Sequence, residues 1–66
     1  MKNNIKVQRA MKDLTQADLA KEIGVSRQTI NAMEGNKYVP STILALKIAR
    51  LFGKKVEEIF ELEAED

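Results

Sequence analysis

The sequence predicts a small all-α domain of five helices, on three observations. Residues 14 to 37 hold two short amphipathic stretches separated by a glycine, the pattern of two helices joined by a tight turn. A nearly continuous apolar stretch between residues 42 and 52 predicts a central core helix. The 66 residues include no cysteine, so one small domain (1–66) must be stabilised by its core and by association, without disulfides.

The first helix is predicted to begin after Asn3 or Asn4, either of which can cap it, and to run to about Lys12. Its apolar residues are few, so its inward face is defined by little more than one turn. The residues expected to face the core or its margin are Ile5, Ala10, Val7 and Met11.

The second helix has clear signals at both ends. Thr15 is a good N-cap, and Asp18 three residues later completes a variant of the capping box. Gly24 stands where the helix must stop, because glycine tolerates the left-handed conformation of a sharp exit. One apolar stripe at helical spacing is predicted from Leu14, Ala17, Leu19, Ala20 and Ile23.

The third helix follows that turn closely and carries an unusual set of polar residues. Ser26 can cap it, and Ile30 and Met33 are its inward positions. Its outward positions are Arg27, Gln28, Thr29 and Asn31. A helix that exposes such donors and acceptors after a turn of three to four residues suits the major groove of DNA.

The fourth and fifth helices complete the predicted core. Ser41 follows Pro40 as an N-cap, and Gly53 ends the fourth helix. A short fifth helix is predicted over residues 57–61, with acidic residues in its first turn and a cap weakened by Lys55. The fourth helix is apolar on nearly all sides, through Ile43, Leu44, Ala45, Leu46, Ile48, Ala49, Leu51 and Phe52.

The charges are strongly segregated along the chain. Residues 1–55 hold all eleven Lys and Arg against four Asp and Glu, a net charge of +7, whereas residues 56–66 hold six acids and no base, a net charge of −6. A basic body suits a polyanion partner. The acidic end, with its tail at about 61–66, is then expected to face away from DNA, although such a tail can also serve only solubility.

The composition argues against several other functions. The chain has neither histidine nor cysteine, so the usual general base, nucleophile and metal ligands are missing. We therefore expect no enzymatic activity, no metal, no cofactor and no small-molecule ligand. No apolar run approaches the roughly 20 residues that span a membrane, and a cytoplasmic protein is expected.

Taken in register, these features resemble a known family. The run LTQADLAKEIGVSRQTINAMEGNKYVPSTILALKIARLFG, followed by VEEIF, resembles the helix-turn-helix domains of the Cro/phage-repressor type (XRE family). Within that family the chain is similar to small stand-alone regulators of the cytolysin-repressor kind. The resemblance covers residues 5–60. It implies a five-helix lambda-repressor-like fold with the helix-turn-helix at helices two and three, and a repressor that binds a palindromic operator as a homodimer.

The resemblance also implies which residues contact bases. Arg27 and Gln28 match positions that do so, and a guanidinium fork fits guanine O6 and N7 while an amide suits adenine. At Ala32 the family often has a longer side chain, so here only a methyl group is offered to thymine. Asn31 is a candidate addition. For Arg27 the alternatives are a contact to phosphate or a charge that is simply solvated.

Other residues are expected to contact the DNA backbone or to stabilise the fold. The family uses the residue matching Gln16 to hold a phosphate and brace the third helix, and the pair matching Arg9 and Glu34 as a partly buried ion pair. Ser26 could be a cap alone, and Tyr38 could simply cover the fourth helix. The predicted contacts to the DNA backbone are Gln16, Ser26, Thr29, Asn36, Lys37 and Tyr38.

The two ends of the chain leave alternatives open. Residues 60–63 alternate apolar and charged, so they either pair with residues 1–4 as an antiparallel ribbon, as in the regulators that this chain resembles, or continue the fifth helix. A two-fold homodimer is expected through this end of the domain, unless its apolar residues only close the monomer core. The residues predicted for the interface are Val56, Ile59, Phe60 and Leu62. A rival hypothesis is an antitoxin-like module whose acidic tail binds a protein partner.

Overall fold

The structure is a computed structural model that describes all 66 residues, and it confirms the predicted fold class. The domain consists of five helices and a two-stranded antiparallel ribbon, and the ribbon brings the two ends of the chain together. The elements in chain order are β1 (Lys2–Asn3), α1 (Ile5–Met11), α2 (Gln16–Ile23), α3 (Arg27–Glu34), α4 (Thr42–Phe52), α5 (Val56–Ile59) and β2 (Phe60–Glu61).

Local hydrogen bonds start three of the helices where the sequence predicts. The Thr15 hydroxyl accepts from the Asp18 N–H at 3.0 Å, and the Thr15 N–H donates to the Asp18 carboxylate at 3.0 Å. These two bonds form a capping box, and the one donated by the Thr15 N–H is the main cause that holds the pKa of Asp18 below its usual value. Ser26 and Ser41 each accept from the backbone N–H three residues later, at 3.1 and 3.2 Å. The starts of α2, α3 and α4 are therefore encoded locally.

The start of α1 depends on both candidate caps. Asn3 accepts from the Ile5 N–H at 3.1 Å, whereas the Asn4 side chain donates to the Glu58 carbonyl at 3.0 Å and ties α1 to α5. The prediction that Ala10 and Met11 face the core or its margin is wrong, because both are exposed, as is Val7. The inward position one turn after Ile5 is occupied by Arg9, which is bound to Glu34.

The core is a single cluster drawn from all five helices and the ribbon. Helix α2 contributes Leu19, Ala20 and Ile23, while the predicted stripe residue Ala17 is exposed. Helix α4 is central to the core, as its apolar character predicts, but it buries only one side. Its outer residues Ile43 and Leu46 are 69% and 54% exposed. The twelve buried residues are Ile5, Leu19, Ala20, Ile23, Ile30, Met33, Leu44, Ile48, Ala49, Phe52, Ile59 and Phe60.

The ribbon is confirmed, and it shortens the fifth helix. Lys2 pairs with Glu61 and Asn3 with Phe60 in an antiparallel register. The predicted helix over residues 57–61 is therefore shifted: α5 covers residues 56–59, and Phe60 is already extended. Lys55 is the N-cap residue of α5 and is a weak cap. The Glu58 carboxylate compensates in part, because it accepts from the Lys55 N–H at 2.8 Å.

The end of α2 offers a direct stability test. Gly24 has φ +75°, and nothing lies within 4 Å of the position that a Cβ atom would take, so a substitution there is opposed by backbone conformation alone. We expect Gly24→Ala to lower the free energy of unfolding by about 1–2 kcal/mol. Gly35 has φ −87° and room for a Cβ atom, so Gly35→Ala should be neutral or slightly stabilising. Urea denaturation of both variants provides the measurement. Equal stability of the two would contradict the role given to Gly24.

Candidate nucleic-acid interface

Helix α3 divides into a buried side and a polar side. Ile30 and Met33 are enclosed in the core, where α3 packs closely against α2. Arg27, Gln28 and Asn31 are exposed on the other side, and the half-buried Thr29 and Ala32 lie beside them. Three of the four predicted base-contacting residues therefore lie exposed on one short helix, with the methyl group of Ala32 at its margin.

Gln16 connects this polar side to α2. Its Nε2 donates to Asn31 Oδ1 at 3.2 Å and to Glu34 Oε1 at 3.1 Å. Its Oε1 accepts from Arg27 Nη1 at 3.5 Å, the outer limit of a hydrogen bond. The amide of Gln16 thus contacts residues at both ends of α3 and fixes how that helix is presented.

Behind Gln16 lies the ion pair of Arg9 and Glu34. Arg9 donates from Nε to Glu34 Oε2 at 2.8 Å and from Nη2 to Oε1 at 3.2 Å, and from Nη1 to the Leu14 carbonyl at 2.9 Å. The two side chains are only 15% and 8% exposed. Burial opposes ionisation of Glu34, but the hydrogen bonds from Arg9 and Gln16 outweigh it and hold the pKa of the carboxyl below its usual value. The hydrogen bond to Glu34 raises the pKa of Arg9.

Two shallow concavities lie on either side of Gln16. One is lined by Thr15, Gln16 and Arg27, near the start of α2. The other is lined by Lys6, Asn31 and Lys37 along α3. Both present donors and cations, which are the groups that hold phosphate oxygens. Each also contains one carboxylate, Asp13 in the first and Glu34, paired with Arg9, in the second. The sequence prediction did not include Lys6. The one feature of the sequence that could have indicated it is its position three residues before Arg9 on the same helix.

The remaining predicted backbone contacts are placed less uniformly. The hydroxyls of Ser26 and Thr29 bond each other at 2.9 Å. Asn36, two residues after the end of α3, takes the left-handed conformation at φ +60°. Its Oδ1 accepts from Asn3 at 3.0 Å, so this oxygen already has a partner within the molecule. Lys37 and Tyr38 are exposed in the loop that follows α3.

The acidic end is held near the ribbon. The amino group of Met1 lies 3.0 Å from a carboxylate oxygen of Glu63 and 3.0 Å from one of Asp66. The hydrogen bond to Asp66, supported by Glu63, raises the pKa of this amino group. None of these acidic residues lines the concavities around Gln16.

The residues predicted for a dimer interface divide into two groups. Ile59 and Phe60 are 2% and 8% exposed and lie in the core of a single chain, whereas Val56 is half-buried and Leu62 is 78% exposed. An apolar groove is lined by Val56 and Phe60 together with Met1, Val39, Pro40, Thr42, Ala45 and Leu46. Three exposed residues next to it escaped the sequence prediction. Ile43 and Leu46 were missed because α4 was expected to be central to the core, and Val39 lies in the loop before that helix.

Comparison with known proteins agrees with this geometry. Residues 5–59 match the family model described as helix-turn-helix, HTH_3. The chain belongs to the Cro/C1-type (XRE) helix-turn-helix family. The match runs from the first residue of α1 to the last residue of α5, so it includes Gln16 and all of α3.

Relatives of this Cro/C1-type domain come from archaea and bacteria. An uncharacterized HTH-type transcriptional regulator of Methanocaldococcus jannaschii is 58% identical over the full length of both chains. The uncharacterized HTH-type transcriptional regulator YgzD of Bacillus subtilis is 47% identical, again over the full length of both. A crystal structure of a candidate DNA-binding protein from Bacteroides fragilis superimposes with a TM-score of 0.78 at 34% identity, covering 88% of this chain and 94% of that one.

None of the five helices has the length and the apolar character that crossing a membrane requires.

Proposed function

We propose that this protein binds double-stranded DNA sequence-specifically and regulates transcription, as a repressor that occupies a palindromic operator as a homodimer. The observation that carries the proposal is the exposed polar side of α3, held by Gln16 between two concavities that contain cations. The proposal is supported by the relatives named as transcriptional regulators, which are similar to this chain over their full lengths. Regulation of this kind needs no chemical step. In bacteria and archaea such a regulator acts in the cytoplasm, where the chromosome lies.

The proposed binding mode follows from the positions of the side chains. Helix α3 enters the major groove, and Arg27, Gln28 and Asn31 approach base edges, with the methyl group of Ala32 near a thymine. Phosphates flank the helix in the two concavities. Lys6, Lys37 and the first turn of α2 around Gln16 hold them. Repression then results from occupancy of the operator.

Two variants separate base contacts from phosphate contacts. Arg27→Ala is expected to lose about 1–3 kcal/mol of discrimination for an operator selected from random duplex DNA, with most binding to random DNA retained. Lys37→Ala is expected to weaken binding to all sequences alike and to reduce the slope of log K against log[salt] by about 0.9. Fluorescence titration of both variants against both DNAs, across a range of salt, gives both quantities. Equal weakening of operator and random DNA in Arg27→Ala would make Arg27 a phosphate contact.

The homodimer is proposed to form through exposed apolar residues at and near the groove lined by Val56 and Phe60. The α4 patch, as we name it, consists of Val39 and Leu46, which line the groove, together with Ile43 on the same helix and Leu62, two residues after Phe60. Each of the four is at least 54% exposed. Several large apolar side chains exposed at one end of a small domain are typical of a protein–protein contact site, so the patch favours a partner. It shares no residue with the concavities around Gln16, which leaves α3 free in a dimer.

A second copy is the partner that the DNA-binding mode requires. One small module contacts too little DNA for tight selective binding. Two copies related by a two-fold axis place their α3 helices in successive major grooves, about 34 Å apart. The acidic residues flanking Leu62 repel each other across such an axis, so we expect the dimer to be tighter in moderate salt than in very low salt.

Sedimentation equilibrium at micromolar concentration tests the dimer. We expect the parent chain to be dimeric and Leu46→Asp to be a folded monomer, because a charge at the centre of the α4 patch cannot be buried without a partner. Val7→Asp is the matched control, since Val7 is similarly exposed at 57% but lies on α1, outside the patch. This control should remain dimeric. A folded monomeric parent chain would end the dimer proposal.

A further inference from the structure

We propose that Gln16 fixes the orientation of the Asn31 amide, so that Asn31 offers DNA a hydrogen-bond donor and selects guanine over adenine. The inference rests on the proposed function and adds a base preference at one position of the operator. It makes Gln16 a positioning residue for specificity, acting through Asn31, in addition to any contact that it makes with phosphate. The argument depends on which groups can donate and which can only accept.

The orientation of Gln16 is determined from both sides. Glu34 is buried and paired with Arg9, so its carboxylate is ionised and can only accept. The group that faces it at 3.1 Å must therefore be the NH₂ of Gln16. Arg27, on the other side, can only donate, and it faces Gln16 Oε1. A flipped Gln16 amide would place its oxygen against the Glu34 carboxylate, so the 3.1 Å contact to Glu34 excludes the flip, and the longer contact to Arg27 favours the same orientation.

The orientation of Asn31 follows from that of Gln16. The second hydrogen of the Gln16 NH₂ points to Asn31 at 3.2 Å, so the atom that receives it must be Oδ1. Asn31 Nδ2 then points away from Gln16 and has no partner within the protein. Asn31 is exposed, and it lies four residues after Arg27 on the same side of α3, so this NH₂ is available to DNA.

A fixed donor contacts the four bases unequally. Guanine presents two acceptors in the major groove, N7 and O6, both of which an NH₂ group can approach. Adenine presents an acceptor and a donor, and an asparagine favours it only when the amide offers its oxygen and its nitrogen together. In this protein the oxygen is held by Gln16. Thymine presents one acceptor, O4, beside its methyl group, so it offers the NH₂ group one contact where guanine offers two, and cytosine presents a donor and is the least compatible base.

The experiment is selection of bound sites from random duplex DNA with the full chain and three variants. The position contacted by Asn31 is the one that loses its preference in Asn31→Ala. At that position we expect guanine in the parent chain, preferred over adenine by about 5- to 150-fold. Asn31→Asp retains the bond from Gln16 but exposes an acceptor, so we expect the preference to change to cytosine. Gln16→Met releases the amide, and we expect adenine to be accepted beside guanine.

Each result bears directly on the inference. Adenine in the parent chain, no position affected by Asn31→Ala, or an unchanged preference in Gln16→Met would overturn it. The thermal midpoint of each variant is measured first, and if Gln16→Met is unfolded, Gln16→Ala replaces it with the same expectation. A parent chain that enriches no sequence would remove the proposed function itself, together with this inference. An enriched sequence with adenine at the Asn31 position would remove the inference alone.

Discussion

Arg9→Met is expected to lower the free energy of unfolding by about 3–5 kcal/mol at pH 7, because it leaves Glu34 ionised and buried without its partner. The Glu34 side chain is only 8% exposed and accepts two hydrogen bonds from Arg9. A methionine has similar length and fills the space without charge. Urea denaturation at pH 7, followed by circular dichroism, measures the loss.

The pH dependence distinguishes this mechanism from a packing defect. In the parent chain the folded-state pKa of Glu34 is lowered, so its contribution to stability is complete above the unfolded pKa of about 4.3 and is lost as pH falls through the folded value. In Arg9→Met burial should raise that pKa instead, so protonation relieves the penalty. The difference in stability between the two proteins should therefore shrink between pH 7 and pH 4.

A double variant completes the test. Arg9→Met combined with Glu34→Met replaces the pair by apolar side chains, and we expect it to recover much of the stability lost in Arg9→Met. The recovery is incomplete because Gln16 loses its bond to Glu34. A double variant as unstable as Arg9→Met would show that the uncompensated carboxylate is not the cause.

Ile48→Ala is expected to cost about 2–5 kcal/mol, the second large effect. Ile48 is 0% exposed at the centre of the buried side of α4, so truncation leaves a cavity that surrounding elements cannot fill. Ile43→Ala is a matched control in the same helix, with the same chemical change at a side chain that is 69% exposed. It should change the stability of the monomer by less than about 0.5 kcal/mol.

The comparison of these two isoleucines requires a concentration at which both variants are monomeric. Ile43 belongs to the α4 patch, so at higher concentration Ile43→Ala should weaken self-association while Ile48→Ala lowers stability throughout. Urea denaturation at several concentrations separates the two effects. Similar losses in both dilute monomers would contradict the division of α4 into a buried and an exposed side.

Much of the fold is determined by short stretches of sequence. Thr15, Ser26 and Ser41 each bond to a backbone N–H three residues away, and Gly24 takes a left-handed turn within its own segment. Interactions this close in sequence depend on residue type and spacing alone. The helix-turn-helix, the polar side of α3 and most of the core were predicted for that reason.

Tertiary structure decided what depends on distant partners. Arg9 occupies the inward side of α1 because Glu34, 25 residues later, supplies a bidentate partner, and this leaves Ala10 and Met11 in solvent. The ribbon requires the two ends of the chain to meet, which also ends α5 at residue 59. The exposed side of α4 is marked in the sequence by Lys47 and Arg50, and Ile43 lies four residues before Lys47 on that side. The sequence prediction counted the apolar residues of this helix rather than their spacing, so it missed that Ile43 lies outside the core.

The candidate site divides in the same way. The sequence by itself determined that Arg27, Gln28 and Asn31 lie on an exposed side of α3, because helical spacing sets which residues share a side. Only the tertiary structure decided that Gln16 contacts both Arg27 and Asn31 and that Lys6 and Lys37 line the same concavity. The physical reason is that hydrogen-bond direction between side chains depends on the packing angle of two helices, and no local pattern in the sequence encodes that angle.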